Sequence, residues 1–311
     1  MKTHLIICLT AALILAGSAP AFAQANKAAK GQAQNQELPN IQSHRDIEYA
    51  RVGDQRLLLD LYLPKKSEKP LPLIVWVHGG AWIGGNKKWC PAVRMVTKGY
   101  AAASINYRLS PVAAFPAQIH DCKAAVRWLR ANAGKYGLDP DCIGVWGGSA
   151  GGHLVALLGT TAGNKELEGT VGGNLQYSST VQAVCDWFGP ADFLTFFPPS
   201  KKNELDSTTS VIAKLLGGSI NEKKENAILA SPTSHVSKDD CPFLIMHGDK
   251  DMIVPLSQSQ ELYDKLKSAG IDVKLHVVKG AGHGFKGSEI DKIVDEFFDK
   301  NLKKIKRETS K

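Results

Sequence analysis

The chain has six cysteines in 311 residues and no Cys-x-x-Cys pair, so the usual ligand spacing of a zinc site is missing and no metal is expected. Its glycine cluster "VWGGSAGGHL" (145–154) is not followed by Lys-Ser or Lys-Thr. Gly-x-Gly-x-x-Gly is also missing there, so neither a phosphate loop nor a dinucleotide turn fits and no cofactor is expected. No internal repeat is visible. Nor is there a basic stripe of the kind that tracks nucleic acid. The formal charge is +8, but from Lys300 onward six basic residues meet one acid, so much of the excess gathers on one C-terminal segment, read as a solvated face. Nucleic acid is therefore not an expected partner.

Long apolar runs are also absent, except near the start. After Lys2 comes "LIICLTAALILAG", too short to span a bilayer comfortably, and then "APAFA" with a small-x-small site. This reads as a secretory signal peptide over 1–23, cut after Ala23, giving a secreted or periplasmic protein with no stable membrane insertion after cleavage. Ser18 stands where a lipoprotein would carry cysteine. Residues 24–45 are polar and low in complexity at first, the pattern of a flexible leader, and 46–311 read as one folded domain. Cleavage leaves Cys90, Cys122, Cys142, Cys185 and Cys241, an odd number whose spacing identifies no disulfide.

What is present from residue 46 is a regular alternation. "IEYARV" and "RLLLDLYLP" read as two strands joined at Gly53-Asp54. "LPLIVWVHGG", "YAAASINYR", "CIGVWG", "VQAVCDWFG", "CPFLIMHG" and "DVKLHVVKG" are short apolar runs that read as buried strands. Ile119, Cys122, Val126, Leu129 and Ala133 fall on one helical face, and "AGGHLVALLG" and "SEIDKIVDEFFDKNLKKI" read as further helices. Ser257 to Gln260 resembles a capping box opening a helix that stops at Gly270. The expected fold is α/β, an eight-stranded mostly parallel sheet with helices on both faces. Between residues 190 and 237 the rhythm breaks, and an insertion there would form a cap or substrate wall.

The glycine cluster fits Gly-x-Ser-x-Gly, with Gly147, Ser149 and Gly151 between a strand and a helix. In such a turn the serine is held above the strand ends, and the Ala150 amide at the helix start points to where negative charge would develop. "HGGAW", His78 to Trp82, follows the strand two before the serine and supplies two more amides, those of Gly79 and Gly80. A base should follow later in the chain. Among nine histidines only His283, in "GAGHGF", stands after the last strand on a glycine-bracketed loop. The acid belongs to "HGDKDMIVP": Asp251 lies far enough along the loop to point back, whereas Asp249 suits a turn. Asp186 and Asp192 are the fallback carboxylates. Trp82, Phe193, Phe196 and Phe197 are candidates for stacking on an acyl group or sugar face, with core packing as the alternative.

With "LDLYLP", "HGGAWIGGNK", "SINYRLSP", "FPAQIHDCKAAVRWLRANA", "GLDPDCIGVWGGSAGGHL", "HGDKDMIVP" and "GAGHG" in place, the chain resembles the α/β-hydrolase superfamily from about Asp46 to the last helix. More narrowly it resembles the exported bifunctional carbohydrate and feruloyl esterases, relatives of the hormone-sensitive-lipase-like enzymes. "GGSAG" departs from the "GDSAG" usual in the latter group. The resemblance implies a Ser149–His283–Asp251 triad, an oxyanion hole of Gly79, Gly80 and Ala150 amides, and acetyl or feruloyl esters of plant polysaccharide as substrates. The rival expectations are a general short-chain carboxylesterase, an arylformamidase-like amidase, and a catalytically silent fold kept for binding.

Overall fold

The computed structural model describes residues 39–303, apart from the Lys202 side chain. The expected signal peptide, most of the expected leader and the basic end of the chain lie outside the described residues. Eight strands form one sheet: β1 (Ile41–Val52), β2 (Gln55–Pro64), β3 (Leu71–Val77), β4 (Ala101–Ile105), β5 (Leu138–Gly148), β6 (Ala183–Trp187), β7 (Phe243–Gly248) and β8 (Val273–Val278). Their order is β1-β2-β4-β3-β5-β6-β7-β8. β2 runs antiparallel to both its neighbours, and every pair from β4 to β8 is parallel.

The α-helices that matter for the site are α1 (Ala117–Ala131), α2 (Ala150–Thr160), α3 (Val211–Leu216), α4 (Lys224–Leu229), α5 (Leu256–Ser268) and α6 (Ser288–Phe298). The central strands read as continuous apolar runs because both faces are covered. Along β3, Leu73, Val75 and Val77 pack under α1 and α2, while Ile74 and Trp76 pack on the opposite side with Met95, Val96 and Phe298. On that second side Trp76 and Trp146 meet edge to face at 5.5 Å, and the Arg94 guanidinium lies 5.5 Å over the Trp146 ring.

Besides β5, which starts at Leu138 rather than Cys142, three features differ from the sequence reading. β1 begins at Ile41, so residues 41–45 of the expected leader are strand; Gln42 to Asp46 are polar, and the strand carries two register shifts, with Asp46 at φ 55. The capping box over Ser257–Gln260 does not form. α5 starts two residues earlier, at Leu256 behind Pro255, and Ser259 turns inward to His247. Finally, α6 ends at Phe298 and gives way to a π-helical turn at Asp299–Lys303. No disulfide joins Cys90, Cys122, Cys185 or Cys241.

The sheet order reverses between β3 and β5. The chain leaves β3 toward β4 along one face and leaves β5 through α2 on the other, so the two loops part above adjacent strand ends. Open parallel sheets bind ligands at such a switch point.

Candidate active site

Ser149 occupies the turn from β5 into α2 at φ 57, ψ −122, a conformation that costs an L-residue strain and is held by its surroundings. Its amide donates to the Trp187 carbonyl at 2.8 Å, and its carbonyl accepts from the His153 amide at 3.0 Å. The flanking glycines are there for space. A methyl on Gly147 would collide with the Gly151 carbonyl, and one on Gly151 would collide with the Val77 carbonyl at the end of β3. Gly148 meets only ordinary contacts with Phe188 and Trp76.

His283 stands on the loop after β8. Its Nε2 is 2.9 Å from Ser149 Oγ and its Nδ1 is 2.7 Å from Asp251 Oδ2. The loop reaches this position because it clamps to the loop after β7. Lys250 N donates to the Ala281 carbonyl at 2.9 Å, and Gly248 has no side chain to push Ala281 and Gly282 away. Asp249 serves that clamp by accepting from the Gly280 amide at 2.6 Å. Asp251 therefore faces the imidazole and Asp249 does not.

The Asp251 carboxylate is fully enclosed. Burial alone would raise its pKa. Hydrogen bonds from His247, His283 and the Ile253 amide outweigh that and hold it far below the usual carboxylate range. Asp251 Oδ1 accepts from the amides of Ile253 and Val254 at 2.8 and 3.0 Å, while Oδ2 faces both imidazoles. The fallback carboxylates are engaged elsewhere. Asp186 accepts from the Gly189 amide at 2.9 Å, and Asp192 from Thr233 Oγ1 at 2.8 Å and the Leu194 amide at 2.9 Å.

Gly79 lies directly against Gly148 and Ser149, and Gly80 bends the loop at φ 113 so that its carbonyl accepts from Ile83 and Gly84. Among the described residues, the amides of Gly79, Gly80 and Ala150 donate to no protein acceptor. Tyr107 Oη donates to the His78 carbonyl at 3.0 Å and fixes the start of the loop. A hydroxyl bonded to an imidazole whose far nitrogen is held by a carboxylate can give up its proton as it attacks an electrophilic carbon. Free amides at a helix N-terminus can receive the charge that results.

The aromatic candidates fare differently. Trp82 and Phe193 are buried in the core, 5.8 Å apart, around His153. Trp82 Nε1 donates to His153 Nδ1 at 3.2 Å, and His153 Nε2 is 2.6 Å from the Ala230 carbonyl just past α4. Their role here is to join the glycine loop, α2 and the insertion; neither ring is available for stacking. Phe196 and Phe197 are half-buried and pack on each other and on the core. Sequence reasoning did not single out Phe188, held at φ 44 with its ring 4.6 Å from His283, or His247 beside Asp251. The period-two alternation of β7 did put His247 on the face of Phe243 and Ile245, so that signal was available.

The BD-FAE family profile matches residues 59–266, about two-thirds of the chain. The protein is a member of the BD-FAE family. The matched stretch takes in Ser149 and Asp251 and stops short of His283, which is placed by geometry. This BD-FAE chain is 35% identical to a truncated carbohydrate esterase from gut microbiota, with a TM-score of 0.75 over 83% of this chain and 95% of that one. It is 37% identical to a bifunctional GH43-CE of Bacteroides eggerthii, again at a TM-score of 0.75, over 82% of this chain and 35% of that one. It is 33% identical to esterase LipC of Mycobacterium tuberculosis across 75% of this chain. The chain spans just over half the length of LipC (58%). The eight-stranded architecture is that of the α/β-hydrolases.

Proposed function

We propose that this BD-FAE protein is an exported serine esterase that hydrolyses acetyl or feruloyl esters of plant polysaccharide. The observation that carries the reading is the contact of Ser149 Oγ with His283 Nε2 at 2.9 Å, backed by Asp251 at 2.7 Å. His283 removes the hydroxyl proton as Ser149 attacks the ester carbonyl. Asp251 keeps the remaining ring proton on Nδ1 and favours the imidazolium that forms. The amides of Gly79, Gly80 and Ala150 hold the tetrahedral oxyanion. The imidazolium then protonates the departing alcohol, and a water activated by the same ring clears the acyl-enzyme. The carbohydrate side of the proposal is supported by the two solved carbohydrate-esterase relatives.

The test is a set of initial rates on p-nitrophenyl acetate, p-nitrophenyl decanoate, methyl ferulate and acetylated xylan, with Ser149→Ala as control. The substitution should lower turnover by about four to six orders of magnitude. Serine-dependent release from xylan or ferulate is the expected result. Activity confined to p-nitrophenyl acetate would reduce the proposal to a general short-chain carboxylesterase. A Ser149→Ala protein keeping a tenth of the activity would overturn the assignment.

A further inference from the structure

We infer that His247 is a positioning residue, holding the Asp251 carboxylate against His283 by donating its Nε2–H to the same oxygen. The inference rests on the reading that Ser149, His283 and Asp251 act together, and concerns what keeps the third member in place.

The acid needs such a support. Asp251 sits on the loop between β7 and α5, whose next residues, Met252 and Ile253, are 93% and 50% exposed. His247 is anchored where the loop is not. It lies inside β7, is fully buried, and is bound on both ring nitrogens. Nδ1 is 2.7 Å from Ser259 Oγ on α5, and Nε2 is 2.9 Å from the Val254 carbonyl and 3.2 Å from Asp251 Oδ2. Both groups facing Nε2 only accept, so that nitrogen carries a proton, while Nδ1 pairs with the Ser259 hydroxyl. One buried ring thus ties strand, loop and helix together at the acid. Asp186, on the neighbouring β6, is the other buried carboxyl acting on this ring.

The chemical consequence follows from sharing. Asp251 Oδ2 faces two imidazole N–H groups: that of His247 at 3.2 Å, which also meets the Val254 carbonyl at 2.9 Å, and that of His283 at 2.7 Å. Without the first, the oxygen is freer to swing and accepts more strongly from the second. Turnover should fall because the base is misaligned, while substrate binding, made elsewhere, should not.

The test compares His247→Leu, which removes the donor, with His247→Gln, whose amide nitrogen reaches about as far as Nε2. The readouts are kcat and KM on p-nitrophenyl acetate, and the titration of the His283 ring by NMR in the Ser149→Ala background. The NMR titration needs no turnover, so it decides the inference even if the esterase reading fails. His247→Leu should lose about ten- to a hundredfold in kcat, the size of one hydrogen bond to a charged group, with KM nearly constant. The His283 titration should move to higher pH. His247→Gln should recover most of both. Should His247→Leu not fold, Ser259→Ala releases the ring from α5 and should lower kcat several-fold in the same way. Equal losses in the Leu and Gln variants with an unmoved His283 titration would reduce His247 to packing, and wild-type kcat and titration in the folded variants would overturn the inference outright.

Discussion

Gly151 and Gly148 flank the same serine two residues and one residue away, yet the chain needs them for different reasons. A methyl on Gly151 meets the Val77 and His78 carbonyls, which lie at and just past the end of β3 and cannot retreat without opening the site. A methyl on Gly148 meets the ring edge of Phe188 at ordinary distance. Gly151→Ala should therefore destabilise the protein by about 3 kcal/mol, at the upper end of overpacking costs, and Gly148→Ala by well under 1 kcal/mol. Urea midpoints of the two variants would check this, and similar midpoints would contradict it. Burial also sets the acid sensitivity. His78 and His153 are held at about 4 by burial, against an ordinary value near 6.5, partly offset by the Gly79 and Ala230 carbonyls. The unfolded chain takes up these protons first. The stability they contribute is complete above about pH 6.5 and is lost as pH falls toward 4, roughly 3 kcal/mol for each ring. Burial raises Asp186 to about 7, which works in the opposite sense because its proton is retained in the folded state. Melting temperatures of wild type and His153→Gln between pH 7 and 4 should converge on acidification; curves that stay parallel would refute the assignment.

Among the elements, the loop that carries Gly79 and Gly80 is tied to the edge of the sheet by a buried lysine. Lys87 Nζ contacts Asp60 Oδ1 at 2.6 Å and Asp46 Oδ1 at 2.7 Å, and its amide donates to Asn106 Oδ1 at 2.8 Å. Lys87→Met should cost about 3 kcal/mol, because it strands the buried Asp60 with Arg45 as its remaining cation. Adding Asp60→Asn should recover part of that in denaturant melts, and strictly additive losses would show that the pair is not coupled. This network explains what the sequence conceals at β1. Gln42 to Asp46 are polar and run into a bulge because Asp46 and Arg45 serve Lys87 and Asp60, so they show no strand period. β3, β4 and the Cys142–Gly147 stretch of β5 were legible because burial on both faces writes itself as an apolar run; the Asp139-Pro140-Asp141 start of β5 interrupts that run and hid the beginning of the strand. The grouping of Ser149, Asp251 and His283 was legible for a related reason: each follows a strand end in a glycine-marked turn. The roles of Trp82 and Phe193 were not, since only tertiary packing around His153 decides whether a ring is core or surface. The false capping box at Ser257 has the same origin, as Ser259 is claimed by His247 across the fold.

At the scale of the whole molecule, the reversal of strand order between β3 and β5 puts the free amides and the serine at adjacent strand ends, and the long return through β7 and β8 delivers acid and base to the same place. The proposal of export adds that the chain works without its first 23 residues. Expressed with its full N-terminus in a bacterial host, the protein recovered from the periplasm should begin at Gln24 by N-terminal sequencing, and an intact Met1 start would count against export. The central claim is that Ser149 is an activated nucleophile, and a fluorophosphonate probe tests it most directly because it labels serines of that kind alone. Mass spectrometry of the treated protein should place one adduct on Ser149, with labelling abolished in Ser149→Ala and strongly slowed in His283→Ala. An unlabelled wild type, or an adduct that persists in Ser149→Ala, would contradict the account.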